Sequence, residues 1–343
     1  MLQKIGADVY PITFPPKGWR KDTLPDGSAC YFPVDWQPIR LSDGSWGQKF
    51  RGKIIARRAQ NGFYYDPVYA PLATASVDDL KDFDWPAPYS FYQIPSRNMS
   101  KEPFIALAKE AKHWYENSDF ALLGTFGGSI FEAAYGLRGF EKFMEDLLIN
   151  RKFAEALLDK LVKANIEYAK RYLDAVKDYV QVIMVGGEDI GTQQGPVINP
   201  ELYREVIKPR QERLWRFLKD NSSALIFVHS CGSIYDFLSD FIDAGADIIN
   251  PVQLSAANME SKKLKEEFGD RLTFWGGGCD TQKILPHGTV QQVQEEVKRR
   301  IKDFAPGGGF IFAQVHNIQP DVPVENILAM YEAAKQYGKY PIC

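Results

Sequence analysis

Cysteine is scarce in this chain, which has only four in 343 residues: Cys30, Cys231, Cys279 and Cys343. So few thiols in so long a chain exclude the disulfide framework of small secreted domains. We therefore expect reduced thiols that are available for metal binding or chemistry. Cys30, in a loop-rich region, and Cys343, the final residue, give no functional signal.

Long apolar runs and a strong net charge are also missing. No stretch reaches the roughly 18 to 20 apolar residues of a membrane-spanning helix. The N-terminal sequence MLQKIGADVY has neither a secretory nor a transit pattern. The formal net charge of −3 argues against nucleic acid or an anionic membrane as a partner. We expect a cytoplasmic protein.

The N-terminal part, residues 1–97, differs from the rest because it is rich in Pro, Gly, Trp and Tyr. Stretches such as Ser45–Phe50 and Gly62–Tyr65 predict strands of an antiparallel excursion. We expect it to pack as a lid on the rest of one structural domain. Its aromatic residues either line a pocket or, as is more common, fill a packed sheet. They are Tyr31, Phe32, Trp36, Trp46, Phe63, Tyr64, Tyr65 and Tyr69.

Residues 98–343 alternate between short apolar stretches and amphipathic segments, which predicts parallel βαβ units. The predicted strands are Ala121–Phe126, Val180–Val185, Leu225–His229, Asp247–Val252, Leu272–Trp275 and Phe310–Val315. The predicted helices include Lys101–Glu116, Ile130–Leu137, Phe140–Leu148, Lys152–Lys177, Pro200–Leu218 with Asn199 as its cap, and Val324–Tyr337.

Such a pattern fits either an open doubly wound sheet or a barrel. No Gly-x-Gly-x-x-Gly leads from a strand into a helix, so a dinucleotide-binding sheet is not favoured. Chemically capable residues follow several successive strands, where barrel active sites gather. We predict an α/β fold, a (β/α)8 TIM barrel with an N-terminal aromatic-rich antiparallel excursion. The barrel body, residues 98–343, should carry the active site, although an eighth strand is not evident.

The segment His229-Ser230-Cys231 ends one of the predicted strands. Residues two apart in a strand point the same way, so the His229 imidazole and the Cys231 thiol can meet at one point. Nitrogen and sulfur ligands together suit zinc. The pattern alone is a weak signal, because intracellular cysteine is often simply a small buried residue.

Three further strand ends add candidate groups. Cys279 follows Gly276-Gly277-Gly278 and is the preferred third metal ligand. Glu188 and His316 end two other strands, and either one, water or substrate can supply a fourth ligand. Glu188, Asp189 and His316 are also the candidates for orienting substrate or managing protons. Ordinary loop hydrogen bonding is the commoner explanation for each residue taken singly.

Polar residues in the same loops suit substrate binding. Backbone amides that follow the first predicted barrel strand can bind an anion at a helix start. The candidate substrate-binding residues are Gly127, Glu132, Gln193, Asn250 and Asp280.

From about Ala121 to the C-terminus, the chain resembles the uroporphyrinogen decarboxylase superfamily, especially its zinc- and corrinoid-dependent methyltransferases. The stretches that carry this resemblance cover about two thirds of the chain, and they are GGEDIGTQQGPVINPELYREVIKP, HSCG, AGADIINPVQ, FWGGGCDTQKILPHGT and VPVENILAMYEA. The resemblance implies a (β/α)8 barrel and zinc ligation by His229 and Cys231.

Three departures qualify what the resemblance implies. The decarboxylases' Arg-Gln-Ala-Gly-Arg motif is missing, so uroporphyrinogen decarboxylation is not expected. Relatives that act on coenzyme M have a third ligand cysteine after the last strand, where this chain has His316. Typical relatives form two barrel strands before the segment matching Ile5–Tyr10, which here begins the chain. Either this end is short, or Val9–Phe14 and the aromatic region complete the barrel differently.

The expected function is transfer of a methyl group between a small molecule and the corrinoid (cobalamin) of a separate protein, because no Asp-x-His-x-x-Gly corrinoid-attachment motif occurs. An aryl methyl ether is the favoured donor, with zinc as Lewis acid. The alternatives are a methylcobalamin:thiol methyltransferase, a decarboxylase-like lyase and a barrel that only binds. A homodimer stays open.

Overall fold

The computed structural model of the chain describes residues 5–24, 27–34, 36–50, 52–88 and 100–342. Its centre is one parallel sheet of seven described strands. In their order across the sheet, these strands are β1 Val9–Ile12, β8 Ala121–Gly127, β9 Val182–Val185, β10 Leu225–His229, β11 Ile248–Asn250, β12 Thr273–Trp275 and β13 Phe310–Ile311. All six predicted strands are confirmed, four of them shorter than expected.

The first strand of this sheet comes from the segment assigned to the excursion. Val9 pairs with Ala121, and Ile12 pairs with Gly124, both in parallel register. Thus β1 completes the sheet at the edge of β8, which resolves the alternative left open for Val9–Phe14. The described residues give seven strands and no pairing of β1 with β13, so a closed eight-stranded barrel stays a prediction.

Helices connect the strands and bury their apolar faces against the sheet. Residues Leu157, Leu161, Ala164 and Tyr168 are all buried on the longest one, as its sequence predicts. The Asn199 side chain accepts hydrogen bonds from Glu201 N and Leu202 N, which confirms this cap.

The helices are Glu102–Asn117, Phe131–Arg138, Phe140–Ile149, Arg151–Val176, Pro200–Leu202, Lys208–Asp220, Leu238–Ala244, Ser261–Phe268, Ile284–His287, Val290–Phe304 and Val324–Tyr337. The π-helical turn Tyr203–Ile207 and the 3₁₀ turns Asp78–Leu80 and Tyr235–Phe237 complete the helical elements. No helix in the described ranges combines the length and apolar character needed to cross a membrane.

The N-terminal part also forms two antiparallel sheets, as predicted. Their strands are β2 Trp19–Thr23 with β3 Ala29–Pro33, and β4 Ile39–Arg40, β5 Trp46–Phe50, β6 Lys53–Arg58 and β7 Asp66–Pro67 in that order. The predicted strand Gly62–Tyr65 is instead part of the loop between β6 and β7. This loop carries Tyr64 to the carboxyl ends of the parallel strands.

A buried cation joins the N-terminal part to the helical layer. Arg138 pairs with Asp146 at 2.6 Å, and its side chain is only 4% exposed. Its Nη1 atom donates hydrogen bonds to the carbonyl oxygens of Leu72, Ala73 and Ala75. The segment after β7 is therefore held against helix Phe131–Arg138.

Candidate metal centre

His229 and Cys231 meet at the end of β10, as the strand spacing predicts. The Cys231 Sγ atom lies 3.4 Å from His229 Nε2. The chain leaves the strand at His229, and Glu188 N donates to the His229 carbonyl oxygen, which ties this end to the β9 loop. Both side chains are half-buried, so a ligand can approach them.

His316 is the third member of this group. One ligand atom from each of His229, Cys231 and His316 lies within 4.8 Å of the other two. The rings of His229 and His316 have centroids 5.9 Å apart. Within the ranges described, no other three His, Cys, Asp or Glu residues meet this criterion. We call these three residues the strand-end cluster.

The orientation of His229 is fixed by Asn250 on the neighbouring strand. Asn250 Nδ2 donates to the carbonyl oxygen of Trp275 at 2.8 Å, so its Oδ1 atom faces His229. This oxygen lies 2.6 Å from His229 Nδ1, which must therefore carry the proton. The Nε2 atom, on the side of Cys231, is left with its lone pair free for a metal.

Two carboxylates lie behind the thiol. Asp189 Oδ1 accepts a hydrogen bond from Cys231 N at 2.7 Å. Burial, followed by the negative charge of Asp189, raises the pKa of the Cys231 thiol above its ordinary value. A bound cation reverses this effect, because a metal-coordinating thiol is deprotonated. The acidic surroundings therefore suit a cation.

Glu132 is the second carboxylate. Burial and the charge of Asp189 raise its pKa to about 7. The phenol of Tyr135 donates to Glu132 Oε1 at 3.0 Å. A Cβ atom at position 187 would meet the Glu132 carboxylate at 1.7 Å, so the glycine there is required for the carboxylate's position. Glu132 is thus a carboxyl group with a raised pKa that is held beside the strand-end cluster.

Tyr64 reaches this region from the N-terminal part. Its phenol oxygen lies 3.3 Å from His316 Nδ1, and Gln319 Nε2 donates to the same oxygen. The sequence places Tyr64 only within an aromatic-rich region, and nothing in its spacing predicts this long-range contact. Tyr135 was not predicted at all, although its position three residues after Glu132 on a helix brings the two together.

The predicted third ligand, Cys279, does not belong to the strand-end cluster. Its thiol is fully buried among apolar side chains, and Sγ lies 3.9 Å from Glu296 Oε2 on helix Val290–Phe304. The loop after β12 runs along residues 313–315, with hydrogen bonds from Gly278 N to Ala313 O and from Val315 N to Cys279 O. This path directs the side chain away from the strand-end cluster, and His316 takes the place expected for Cys279.

Glu188 does not face the strand-end cluster either. Its carboxylate is fully buried and accepts hydrogen bonds from Ile130 N at 2.7 Å and Phe131 N at 2.9 Å. Burial raises its pKa to about 8, although the two N–H groups favour the charged form. The arrangement is that of a helix N-terminal cap, so a catalytic role does not fit this geometry.

The remaining predicted substrate-binding residues differ in what they contact. Gln193 accepts from Gln253 Nε2 at 2.8 Å, and Gln253 in turn accepts from Gly232 N beside Cys231. Asp280 caps its own loop, since its Oδ1 accepts from Gln282 N and Lys283 N. Gly127 ends β8 with a φ of 76°. Gln193 therefore braces the loops around the cluster, whereas Asp280 has a local role.

Comparison with known proteins places the chain in a family. Residues 87–337 match the uroporphyrinogen decarboxylase (URO-D) family, so the chain belongs to that family. This confirms the resemblance inferred from the motifs.

Curated relatives with two different activities are similar to this chain. The methylcobamide:CoM methyltransferase MtaA of Methanosarcina barkeri is 26% identical over 220 residues, which are 64% of this chain and 59% of that protein. The chain thus matches less than two thirds of that relative's length. The uroporphyrinogen decarboxylase of Thermus thermophilus is 25% identical over 188 residues, which are 52% of this chain and 48% of that protein.

A solved structure shares the fold. A methyltransferase from Methanosarcina mazei superposes with a TM-score of 0.57 at 20% identity, covering 80% of this chain and 72% of that one. At this identity, the likeness extends to the fold alone.

Proposed function

We propose that this protein is a zinc-dependent methyltransferase that transfers a methyl group from a small methylated molecule to the Co(I) corrinoid of a separate protein. An aryl methyl ether is the proposed donor. The observation that carries the proposal is the strand-end cluster, whose three ligand atoms lie within 4.8 Å of one another.

The donor set of the cluster fits zinc. Two imidazole nitrogens and one thiolate leave a fourth position for substrate, as in catalytic zinc sites with three protein ligands. The hydrogen bond from His229 Nδ1 to Asn250 is the kind of outer contact that orients such ligands. Bound there, zinc would polarise an ether oxygen and make it a better leaving group.

The choice of His316 rather than a second cysteine supports an oxygen substrate. One thiolate and two neutral imidazoles leave a Zn²⁺ site with a net charge of +1, whereas two thiolates would cancel the metal's charge. The more positive site is the stronger Lewis acid towards an ether oxygen.

The chain's own carboxyl groups suit the proton balance of ether cleavage. The new bond to the methyl carbon would use the electron pair of the Co(I) acceptor. The C–O bond would break with its electron pair on the oxygen, which then needs a proton. Glu132, with its pKa raised to about 7, can carry that proton near neutral pH. Asp189 holds the Cys231 backbone in place through its 2.7 Å hydrogen bond.

A methylcobalamin:thiol methyltransferase is the second candidate. The likeness to MtaA, a methylcobamide:CoM methyltransferase, supports it. In that reaction, the fourth zinc position would take the substrate thiol instead of an ether oxygen.

A decarboxylase-like activity has less support. Substrates with several carboxylates need cationic side chains at the site. Among the described residues, the ionisable groups that shift the pKa values of Cys231 and His316 by their charge or hydrogen bonds are Asp189, Glu132 and His229, with no Lys or Arg. This surrounding suits a neutral substrate better than a polycarboxylate.

The test is methyl transfer to a Co(I) corrinoid acceptor, followed by its absorbance change, with methoxybenzene or dimethyl sulfide as donor. Dimethyl sulfide is a methyl thioether, the donor type that the reverse of the thiol reaction would use. We expect the zinc-loaded wild type and the Cys279→Ser variant to consume methoxybenzene. The His316→Ala variant should not consume it. Transfer with dimethyl sulfide alone would favour the thiol reaction. No transfer with either donor, or equal transfer by His316→Ala, would contradict the proposal.

A further inference from the structure

A cavity in the N-terminal part is lined in part by Phe63 and Tyr65, the two neighbours of Tyr64 in its loop. It has a volume of about 290 Å³ and is lined by Trp36, Pro38, Trp46, Arg58, Phe63 and Tyr65. We call it the aromatic cavity. Its size is near the lower end of small-molecule pockets, which suits a single ring better than a larger ligand.

The walls of the aromatic cavity are set for a flat ligand. Trp36 and Tyr65 meet edge to face, with ring centroids 5.2 Å apart and an interplanar angle of 81°. Phe63 is 49% exposed, so much of its ring surface is open to a ligand. Aromatic rings arranged at right angles offer both a face and an edge to an incoming ring.

Arg58 faces two of these rings, and among the described residues no carboxylate pairs with it. Arg40 also lies over Trp46, with its guanidinium carbon 5.2 Å from the ring centroid. The Arg58 guanidinium carbon lies 5.9 Å from the ring centroid of Trp46 and 5.6 Å from that of Tyr65. Its Nη1 atom donates to the Gly62 carbonyl oxygen at 3.1 Å, while its Nε atom is buried and has no hydrogen-bond partner in the described part of the chain. An unsatisfied buried donor is costly, so the guanidinium favours an acceptor from a ligand.

The neighbouring arginine on the same strand has both a hydrogen-bond partner and an ion-pair partner. Arg57 donates from Nε to Ser45 Oγ at 2.8 Å and forms an ion pair with Asp43. Because residues alternate along a strand, Arg57 and Arg58 point to opposite faces of β6. Of the two β6 arginines, Arg58 is therefore the one whose charge is directed to the aromatic cavity.

From this arrangement, we propose that the aromatic cavity is a second small-molecule site, distinct from the strand-end cluster, that binds a planar aromatic ring bearing a carboxylate. The ring stacks among Trp36, Phe63 and Tyr65, and the carboxylate accepts hydrogen bonds from Arg58. This site goes beyond the proposed methyl transfer and does not depend on a metal.

The test is calorimetric titration of the full-length protein with benzoate, benzamide and cyclohexanecarboxylate. We expect benzoate to bind at one site per chain, and each of the other two to bind at least about tenfold more weakly, because one lacks the charge and the other the flat ring. Equal binding of benzamide would overturn the role of charge, and equal binding of cyclohexanecarboxylate would overturn the stacking.

Two matched variants locate the site. Arg58→Gln should weaken benzoate binding at least about tenfold, whereas Arg57→Gln should leave it unchanged. Phe63→Ala changes an exposed position without removing a charge, and we expect it to weaken benzoate binding as well. It therefore tests the site even if Arg58→Gln fails to fold. No saturable binding, or the same affinity in Arg58→Gln, would overturn the proposal.

A third variant separates this site from the proposed function. His229→Ala removes a member of the strand-end cluster, and we expect it to bind benzoate as the wild type does. Loss of benzoate binding in His229→Ala would instead place the ligand at the cluster and overturn the second site. Failure of methyl transfer leaves this measurement unaffected.

Discussion

Two cysteine-bearing loops follow strands of the same parallel sheet, and their thiols end in opposite surroundings. After β10, Cys231 lies 3.4 Å from His229 Nε2, next to Asp189. After β12, Cys279 is sealed among apolar side chains beside Glu296. A residue that directly follows a parallel strand thus lies near the carboxyl end of the sheet. The path of its loop, however, decides where its side chain points.

The glycines before Cys279 account for the difference. Gly276 and Gly277 have φ values of 119° and 71°, which side-chain-bearing residues rarely adopt. A Cβ atom at Gly276 would lie 2.2 Å from the Pro251 carbonyl oxygen. The backbone therefore bends sharply against the β11 loop. By contrast, Cys231 is only two residues beyond His229, so the strand's alternation still sets its direction.

The largest expected effect separates the two thiols by stability. Cys279→Asn should lower the free energy of unfolding by about 3 kcal/mol, because a larger amide without partners enters an apolar cluster. Cys231→Asn should cost less than about 1 kcal/mol, because its position is partly open and surrounded by polar groups. Urea denaturation of the metal-free proteins measures both, and equal losses would erase the contrast between the loops.

Glu188 extends the comparison to the predicted catalytic carboxylates. Glu188→Ala should lower the free energy of unfolding by about 2 kcal/mol, because Ile130 N and Phe131 N lose their acceptor inside the protein. Glu132→Gln, at the strand-end cluster, should cost less than about 1 kcal/mol and should reduce methyl transfer instead. A stable Glu188→Ala protein without activity would return Glu188 to the catalytic residues.

Asn250 sharpens the comparison from the metal side. Asn250→Ala should weaken zinc binding about 10- to 100-fold, because His229 loses the hydrogen bond that fixes its ring. Asn199→Ala is the matched control, since it removes an asparagine cap on a helix and leaves the cluster intact. A competition titration with a chelator measures the affinity, and equal affinities in the two variants would argue against Asn250 as an orienting residue.

A pH dependence of stability should also come from Glu188. Its pKa in the folded protein, about 8, lies above the ordinary glutamate value, so the folded state binds the proton more tightly than the unfolded chain. The stabilisation that comes from this tighter proton binding is complete below about pH 4, and it is lost as the pH rises through about 8. Between these limits, the thermal unfolding temperature should fall with rising pH more steeply in the wild type than in Glu188→Gln. Parallel curves for the two proteins would contradict the raised pKa of Glu188.

Much of the fold follows from local sequence signals. The parallel strands β8 to β12 are short, buried and apolar, and the C-terminal helix Val324–Tyr337 was predicted with its observed bounds. The strand Val9–Ile12 was harder to assign, because its four residues contain a proline and its partner, Ala121–Gly127, lies more than a hundred residues away. Pairings of that kind depend on topology, which local patterns do not contain.

The candidate site was predictable only where strand geometry reaches it. The meeting of His229 and Cys231 follows from their spacing in a strand, whereas their expected role as zinc ligands also rested on the family resemblance. His316 was already a candidate because it ends a predicted strand. Its distance from the other two depends on a loop that leaves β13 after Ile311. The contact with Tyr64 joins residues 252 positions apart and had no sequence signal.

The most direct test of the central claim is the zinc content of the purified wild type beside His316→Ala and Cys279→Ser. The account predicts about one zinc per chain in the wild type and in Cys279→Ser, and little or none in His316→Ala, because a catalytic zinc site needs three protein ligands. Loss of zinc in Cys279→Ser with retention in His316→Ala would contradict the proposed ligand set. No zinc in the wild type, even after zinc is added, would contradict the metal-dependent mechanism itself.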